Sequence, residues 1–156
     1  MQGKRAAARF VLFALVGLLM EVFFTAISEG VKGNWSIVGH TSPWMMLDYG
    51  LLGVLLEPIG GPFIRRGVPL FIRAAVYMVL IFVVEFVSGE IFTACGLKIW
   101  NYSHLAYNLD GQITLLYAPF WYGLGFAVEF LYRKIDAIAV LLLRGLSAED
   151  LEKLPA

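Results

Sequence analysis

Four apolar runs alternate with polar connections along the chain. They extend from about Phe10 to Ser28, Pro43 to Ile59, Pro69 to Thr93 and Ile113 to Tyr132. A helix needs about 20 mostly apolar residues to cross a bilayer, so these runs predict four spanning helices. A fifth apolar piece, Ile135–Leu146, is too short to span. It predicts either a helix at the membrane surface or a continuation of the fourth helix beyond the lipid. The tail SAEDLEKLPA opens like a capped, acidic helical turn, with Asp150 three residues after Ser147. The expected fold is all-α: a polytopic membrane protein with a four-helix transmembrane domain over 1–134, then a C-terminal amphipathic helix and tail over 135–156, interfacial or cytoplasmic.

Composition supports lipid as the solvent. Of 156 residues, 60% are apolar, against about 45–50% in soluble domains. A chain this short cannot hide that much apolar surface in one soluble core. The N-terminus begins like a signal peptide, but its apolar run is too long and no small-residue cleavage site follows, so it is expected to remain as the first span.

Charge then sets orientation. Lys4, Arg5 and Arg9 precede the first run, Arg65, Arg66 and Arg73 flank the second connection, and Arg133, Lys134 and Arg144 follow the fourth run. The other two connections carry only Lys32 and Lys98. The positive-inside rule therefore places both termini in the cytoplasm, in the plasma membrane, with the connections at 29–42 and 94–112 facing outward. Acids and bases balance at twelve each. No basic patch suggests nucleic acid. The single cysteine, Cys95, forms neither an internal disulfide nor a zinc cluster and is expected to be a packing residue.

Each run nevertheless carries an acid: Glu21, Asp48, Glu85 and Glu129. Ionisable groups in lipid are costly and mark sites or pathways. Glu21 lies seven residues before Ser28, Asp48 five after Pro43, and Glu85 eight before Thr93. At the helical rise, all three sit about 8–12 Å below the outer surface. If they converge, they make a proton- or cation-binding floor. The competing reading is that each hydrogen-bonds a neighbouring helix. Glu129 falls near the inner end of its run. Glu57 is expected to pair with Arg65 or Arg73.

Aromatics concentrate in the outer half. An interfacial belt accounts for some of them. It does not account for Asn101, Ser103, His104, Asn108 and Asp110 in the same short connection as Trp100, Tyr102 and Tyr107. That loop is expected to cap the carboxylate level, with indole and phenol edges suited to a headgroup, sugar or cofactor. His40 and His104, alone in separate loops, are too sparse for a metal site, and none is assigned. There is no phosphate-binding Gly loop, nucleophile elbow or H-E-x-x-H motif. Gly123 and Gly125 are expected to allow close helix packing, and PIGGPFIRRGVP reads as a tight cytoplasmic connection.

Several of these stretches carry a family resemblance: MEVFFTA with Glu21, then Glu29; TSPWMMLDYG with Trp44 and Tyr49; VEFVSGE with Glu85; and WNYSHLAYNLDGQITLLY, from Trp100 to Tyr117, followed by Trp121. Over roughly residues 10–132 the chain resembles the CmpB-like family of ABC-transporter permeases in bacteria, and a related group of small vertebrate transmembrane proteins of unknown function. The resemblance implies a four-helix membrane protein. The family usually reads Trp-Asp-Tyr-Ser where this chain has Trp100-Asn101-Tyr102-Ser103, so a negative charge at position 101 is not available here.

The expected protein has an outward-facing polar pocket that binds or helps transport a small amphiphile or cation. Its ligand-binding residues are Glu21, Glu29, Trp44, Asp48, Tyr49, Glu85, Trp100, Asn101, Tyr102, Ser103, Asn108, Tyr117 and Trp121. The alternatives are a membrane-embedded enzyme acting on a lipid or isoprenoid, with the carboxylates as acid and base, and a non-catalytic assembly subunit. The partners are the lipid bilayer and, since four helices enclose only a narrow path, further copies or partner membrane subunits. The residues identify no cofactor and no catalytic group.

Overall fold

The computed structural model describes residues 2–145. Leu146 and the tail reading from Ser147 onward lie outside the described residues. Four long helices account for most of the chain: α1 (Gln2–Val31), α2 (Met45–Arg65), α3 (Leu70–Ala94) and α4 (Ala118–Arg144). A two-residue strand pair, β1 (Asn108–Leu109) and β2 (Ile113–Thr114), and a 3₁₀ turn over Leu115–Tyr117 lie between α3 and α4.

Among the described residues, three helices, α1 to α3, are long and apolar enough to cross a membrane. Their surfaces show why lipid is the solvent. On α1, Val11, Leu15, Leu19, Phe23 and Ile27 form a row spaced by four residues, each about half exposed or more, and Val79, Val83, Val87 and Ile91 do the same on α3. Unbroken apolar ridges of this kind are unfavourable in water and ordinary against acyl chains. The protein is therefore a membrane protein.

The helices pack in a closed ring, α1 on α2, α2 on α3, α3 on α4 and α4 on α1. The cross-links show that successive helices are antiparallel. Near one end, Arg9 of α1 meets Glu57 of α2 and Asp136 of α4, and Arg73 of α3 meets Glu129 of α4. Near the other end, Glu21 of α1 meets Tyr49 of α2. The first end also holds most of the bases and is called the basic end here; the second carries the two longer connections and is called the cap end. Between them lies an apolar core of Phe13, Leu52, Leu56, Tyr77, Leu80, Ile81, Val84, Val128 and Ile135.

Glycines set the closest approaches. A Cβ on Gly17 of α1 would collide with the Tyr49 ring, and one on Gly53 of α2 with Phe13. A Cβ on Gly125 of α4 would stand 2.6 Å from the Ala74 carbonyl oxygen of α3, whereas Gly123 faces open space. Small residues let membrane helices approach at backbone distance, and Gly125, not Gly123, serves that purpose.

Three elements differ from the sequence expectation. The fourth helix begins at Ala118, not Ile113. Ile113 and Thr114 pair with Asn108–Leu109, and the Thr114 hydroxyl accepts from Leu116 N to open the 3₁₀ turn. These residues read as apolar along the chain, yet extended pairing holds them. Second, α2 does not stop at Ile59. It continues through Pro58 and Pro62 to Arg65, and the connection is only residues 66–69. Proline removes one helical hydrogen bond without forcing a break where neighbouring helices support the backbone; here Tyr77 packs against Gly60. Third, the segment from Ile135 to Arg144 continues α4 without interruption.

Candidate functional site

At the cap end the helices part around a cavity of about 550 Å³. Glu21, Asp48 and Glu85, from three different helices, all line it. Local structure places each one. Tyr49 fits against Gly17 and donates its hydroxyl hydrogen bond to Glu21. Asp48 lies in the first turn of α2, adjacent to Tyr49. Glu85 faces inward from the second half of α3, while Glu90, five residues later on another face, is exposed.

The polar atoms are unevenly satisfied. Tyr102 Oη donates to Glu85 Oε1 at 3.1 Å. Glu85 Oε2, both Asp48 carboxyl oxygens, the Thr41 hydroxyl and the Trp121 indole nitrogen are buried without a hydrogen-bond partner. Asp48 is only 6% exposed and Glu85 9%. Buried polar groups in folded proteins are normally paired, so such a concentration around one cavity marks the region.

Above the carboxylates, Ile99–Tyr117 folds into a cap. Asp110 and Gly111 both adopt positive φ, and Gln112 N donates to Leu109 O at 2.9 Å, so Asp-Gly makes the tight turn that joins β1 to β2. The Trp100 indole donates to Gln112 O at 2.8 Å and meets Phe92 edge-on at 5.9 Å. Gly89 leaves the space on α3 that Trp100 and Gln112 occupy. Tyr102, Tyr117 and Trp121 form an aromatic series, Tyr102–Tyr117 edge to face at 5.3 Å and Tyr117–Trp121 tilted at 6.3 Å. Burial, reinforced by the neighbouring Glu85 carboxylate, pushes the Tyr102 hydroxyl up, which keeps it a hydrogen-bond donor at neutral pH.

The residues between α1 and α2 close the other side. Thr25 Oγ1 donates to His40 O at 2.9 Å and accepts from His40 N at 2.8 Å, which pins this loop to α1. Glu29 lines the cavity at its mouth, held by Lys32 at 2.9 Å and Asn34 at 3.2 Å.

Of the residues singled out from the sequence, Glu21, Glu29, Asp48, Tyr49, Glu85, Trp100, Tyr102, Tyr117 and Trp121 share this cavity. Trp44, Asn101, Ser103 and Asn108 do not line it. Trp44 stands 47% exposed and packs its ring near Phe92 at 5.9 Å. Asn101 Oδ1 accepts from Ser103 N at 2.8 Å, and Asn108 bonds Leu105 O at 2.7 Å and Gly111 N at 3.1 Å. These amides hold the cap's own backbone. Asn101 needs only an acceptor oxygen, which Asp and Asn share, so an amide serves as well as an acid there. Thr41, Ser28, Met20 and Met45 line the cavity without having been singled out. Of these only Met45 was signalled by spacing, lying three residues before Asp48 on the same face of α2.

The remaining acids serve elsewhere. Glu129 accepts from Arg73 at 2.5 and 2.8 Å and from Tyr77 at 2.6 Å. Glu57 pairs with Arg9 at 2.7 Å and Tyr132 at 3.0 Å, not with Arg65 or Arg73. Arg9, almost fully buried, joins α1, α2 and α4 at the basic end.

Apolar helices enclosing a cavity at one end make a membrane protein. Residues 8–146 match the model of the family described as "Putative ABC-transporter type IV", and the chain belongs to this CmpB-like family. No solved structure matches it.

Proposed function

We propose that the protein is a membrane-embedded binding component, serving transport, whose cavity takes a small amphiphile bearing a positive charge. One observation carries the reading: buried Asp48 and Glu85 oxygens, without hydrogen-bond partners, face a common cavity. Carboxylates gathered in a poorly solvated space repel one another and are desolvated, and a cation offsets both costs. The aromatic wall of Phe24, Tyr117, Phe120 and Trp121 suits the cation and its apolar body.

In this reading α4 crosses the bilayer as a fourth span and emerges by Arg133, so that 1–134 form the membrane domain and the stretch beyond extends from it. The positive-inside rule then puts the basic end and both termini in the cytoplasm and opens the cavity outward. The Arg9–Glu57–Asp136 and Arg73–Glu129 clusters close the cytoplasmic end beneath it. A complete path across the membrane calls for further copies of the chain or a partner membrane subunit.

The test is thermal unfolding of the full chain in lipid nanodiscs with three probes of one length: hexylamine, hexyltrimethylammonium and neutral hexanol. Stabilisation by a cationic probe, beyond that given by hexanol, is expected. Equal responses to charged and neutral probes would overturn the reading.

A further inference from the structure

Resting on this reading, we propose that the cavity recognises a primary ammonium group, on a ligand that also carries a hydrogen-bond acceptor. The polar atoms facing the cavity divide into those already engaged and those left over. Glu21 is engaged by Tyr49, and Glu85 Oε1 by Tyr102. Left over are Asp48 Oδ1, Asp48 Oδ2 and Glu85 Oε2. Both residues are more than nine-tenths buried and both line the cavity.

Three carboxylate oxygens call for N–H or O–H donors as well as for charge. A primary ammonium carries three N–H donors. A quaternary ammonium carries the same charge and satisfies the aromatic wall, but leaves all three oxygens unpaired. A protonated amine therefore complements the cavity, and a fully methylated one does not. A bare metal ion is the weaker candidate, since among the described residues no group of three His, Cys, Asp or Glu side chains could hold one.

Trp121 adds the second requirement. Its indole nitrogen can only donate, lies buried beside the Glu85 carboxylate with no hydrogen bond formed, and belongs to a residue that lines the same cavity. A hydroxyl or carbonyl oxygen on the ligand satisfies it. Phe24, Tyr117 and Phe120, packed edge to face at 5.7–6.3 Å, leave an apolar surface for the rest of the molecule. The ligand class is thus an amphiphilic primary amine with an oxygen near the nitrogen, such as a 2-amino alcohol.

The experiment measures equilibrium binding of hexylamine, its N-methyl, N,N-dimethyl and N,N,N-trimethyl derivatives, and 1-amino-2-hexanol to the wild-type chain in nanodiscs. Charge is constant along the methylation series, while each step replaces one N–H donor by a methyl group whose apolar surface by itself favours binding. Affinity should fall with each methyl group, by about tenfold or more over the series. The amino alcohol should bind more tightly than hexylamine to wild type, and in W121F the difference between the two should vanish. Equal or tighter binding of the trimethyl probe would overturn the inference and leave the cation reading standing. Binding of none of the probes would overturn both.

Discussion

Tyr102 Oη donates to Glu85 Oε1 at 3.1 Å, so the cap is tied directly to the carboxylate wall it covers. The bond leaves Glu85 Oε2 as the oxygen without a partner. Tyr102→Phe keeps the ring packing against Tyr117 and removes only the hydroxyl. The variant should lose about 1–3 kcal/mol of stability, the cost of a buried acceptor left unpaired. Denaturation in mixed micelles measures the loss. Backbone amides of the cap should also exchange hydrogen faster, while those of α3 below Glu85 do not.

Gly17 marks where Tyr49 enters the α1–α2 seam. Gly17→Ala should displace the Tyr49 ring, break its bond to Glu21 and cost about 1–3 kcal/mol by overpacking. Gly123→Ala, which meets open space, is the matched control and should leave the melting temperature within about a degree of wild type. Equal effects from both substitutions would separate Gly17 from the site.

At the basic end, Arg73 and Glu129 form a pair with side chains only 14% and 12% exposed. Glu129→Gln should destabilise the bundle by about 1–3 kcal/mol, because it removes the charge that a partly buried arginine pairs with. Replacing both, as Arg73→Met with Glu129→Leu, should recover much of the loss. Chemical denaturation of the two variants tests this directly.

Asp136 lies just past Arg133 and Lys134 on α4 and is bound by Arg5, with Nε to Oδ1 at 2.7 Å, and by Arg9 at 3.3 Å. The Arg5 hydrogen bond, aided by the charges of Arg5 and Arg9, holds its carboxyl below the ordinary range. A group depressed in the folded state contributes stability above its unfolded pKa, about 4, and that contribution fades as pH falls through the folded value. Melting temperature should therefore drop on acidification below about pH 4. Asp136→Asn should flatten that acid limb and lower stability at neutral pH.

The positions of the helices were legible because lipid imposes a simple length rule. Counting residues from the ends of the runs also put Glu21, Asp48 and Glu85 at one level, since helical rise converts sequence spacing into depth. What sequence could not convey was the destination of each hydrogen bond. Asn101 and Asn108 read as free donors and acceptors, yet their partners are the cap's own backbone. Ile113–Thr114 read as the start of a span because pairing with Asn108–Leu109 is a tertiary fact. Pro58 and Pro62 read as a break, but packing carries the helix through them. The pairing of Glu57 with Arg9 joins residues 48 apart in sequence, beyond the reach of local pattern.

The most direct test is equilibrium binding of hexylamine to wild type, Asp48→Asn, Glu85→Gln and the exposed control Glu90→Gln. Loss of about tenfold or more in affinity in the first two variants, with the control unchanged, is the predicted result. Affinities indistinguishable across all four proteins would contradict a shared carboxylate site.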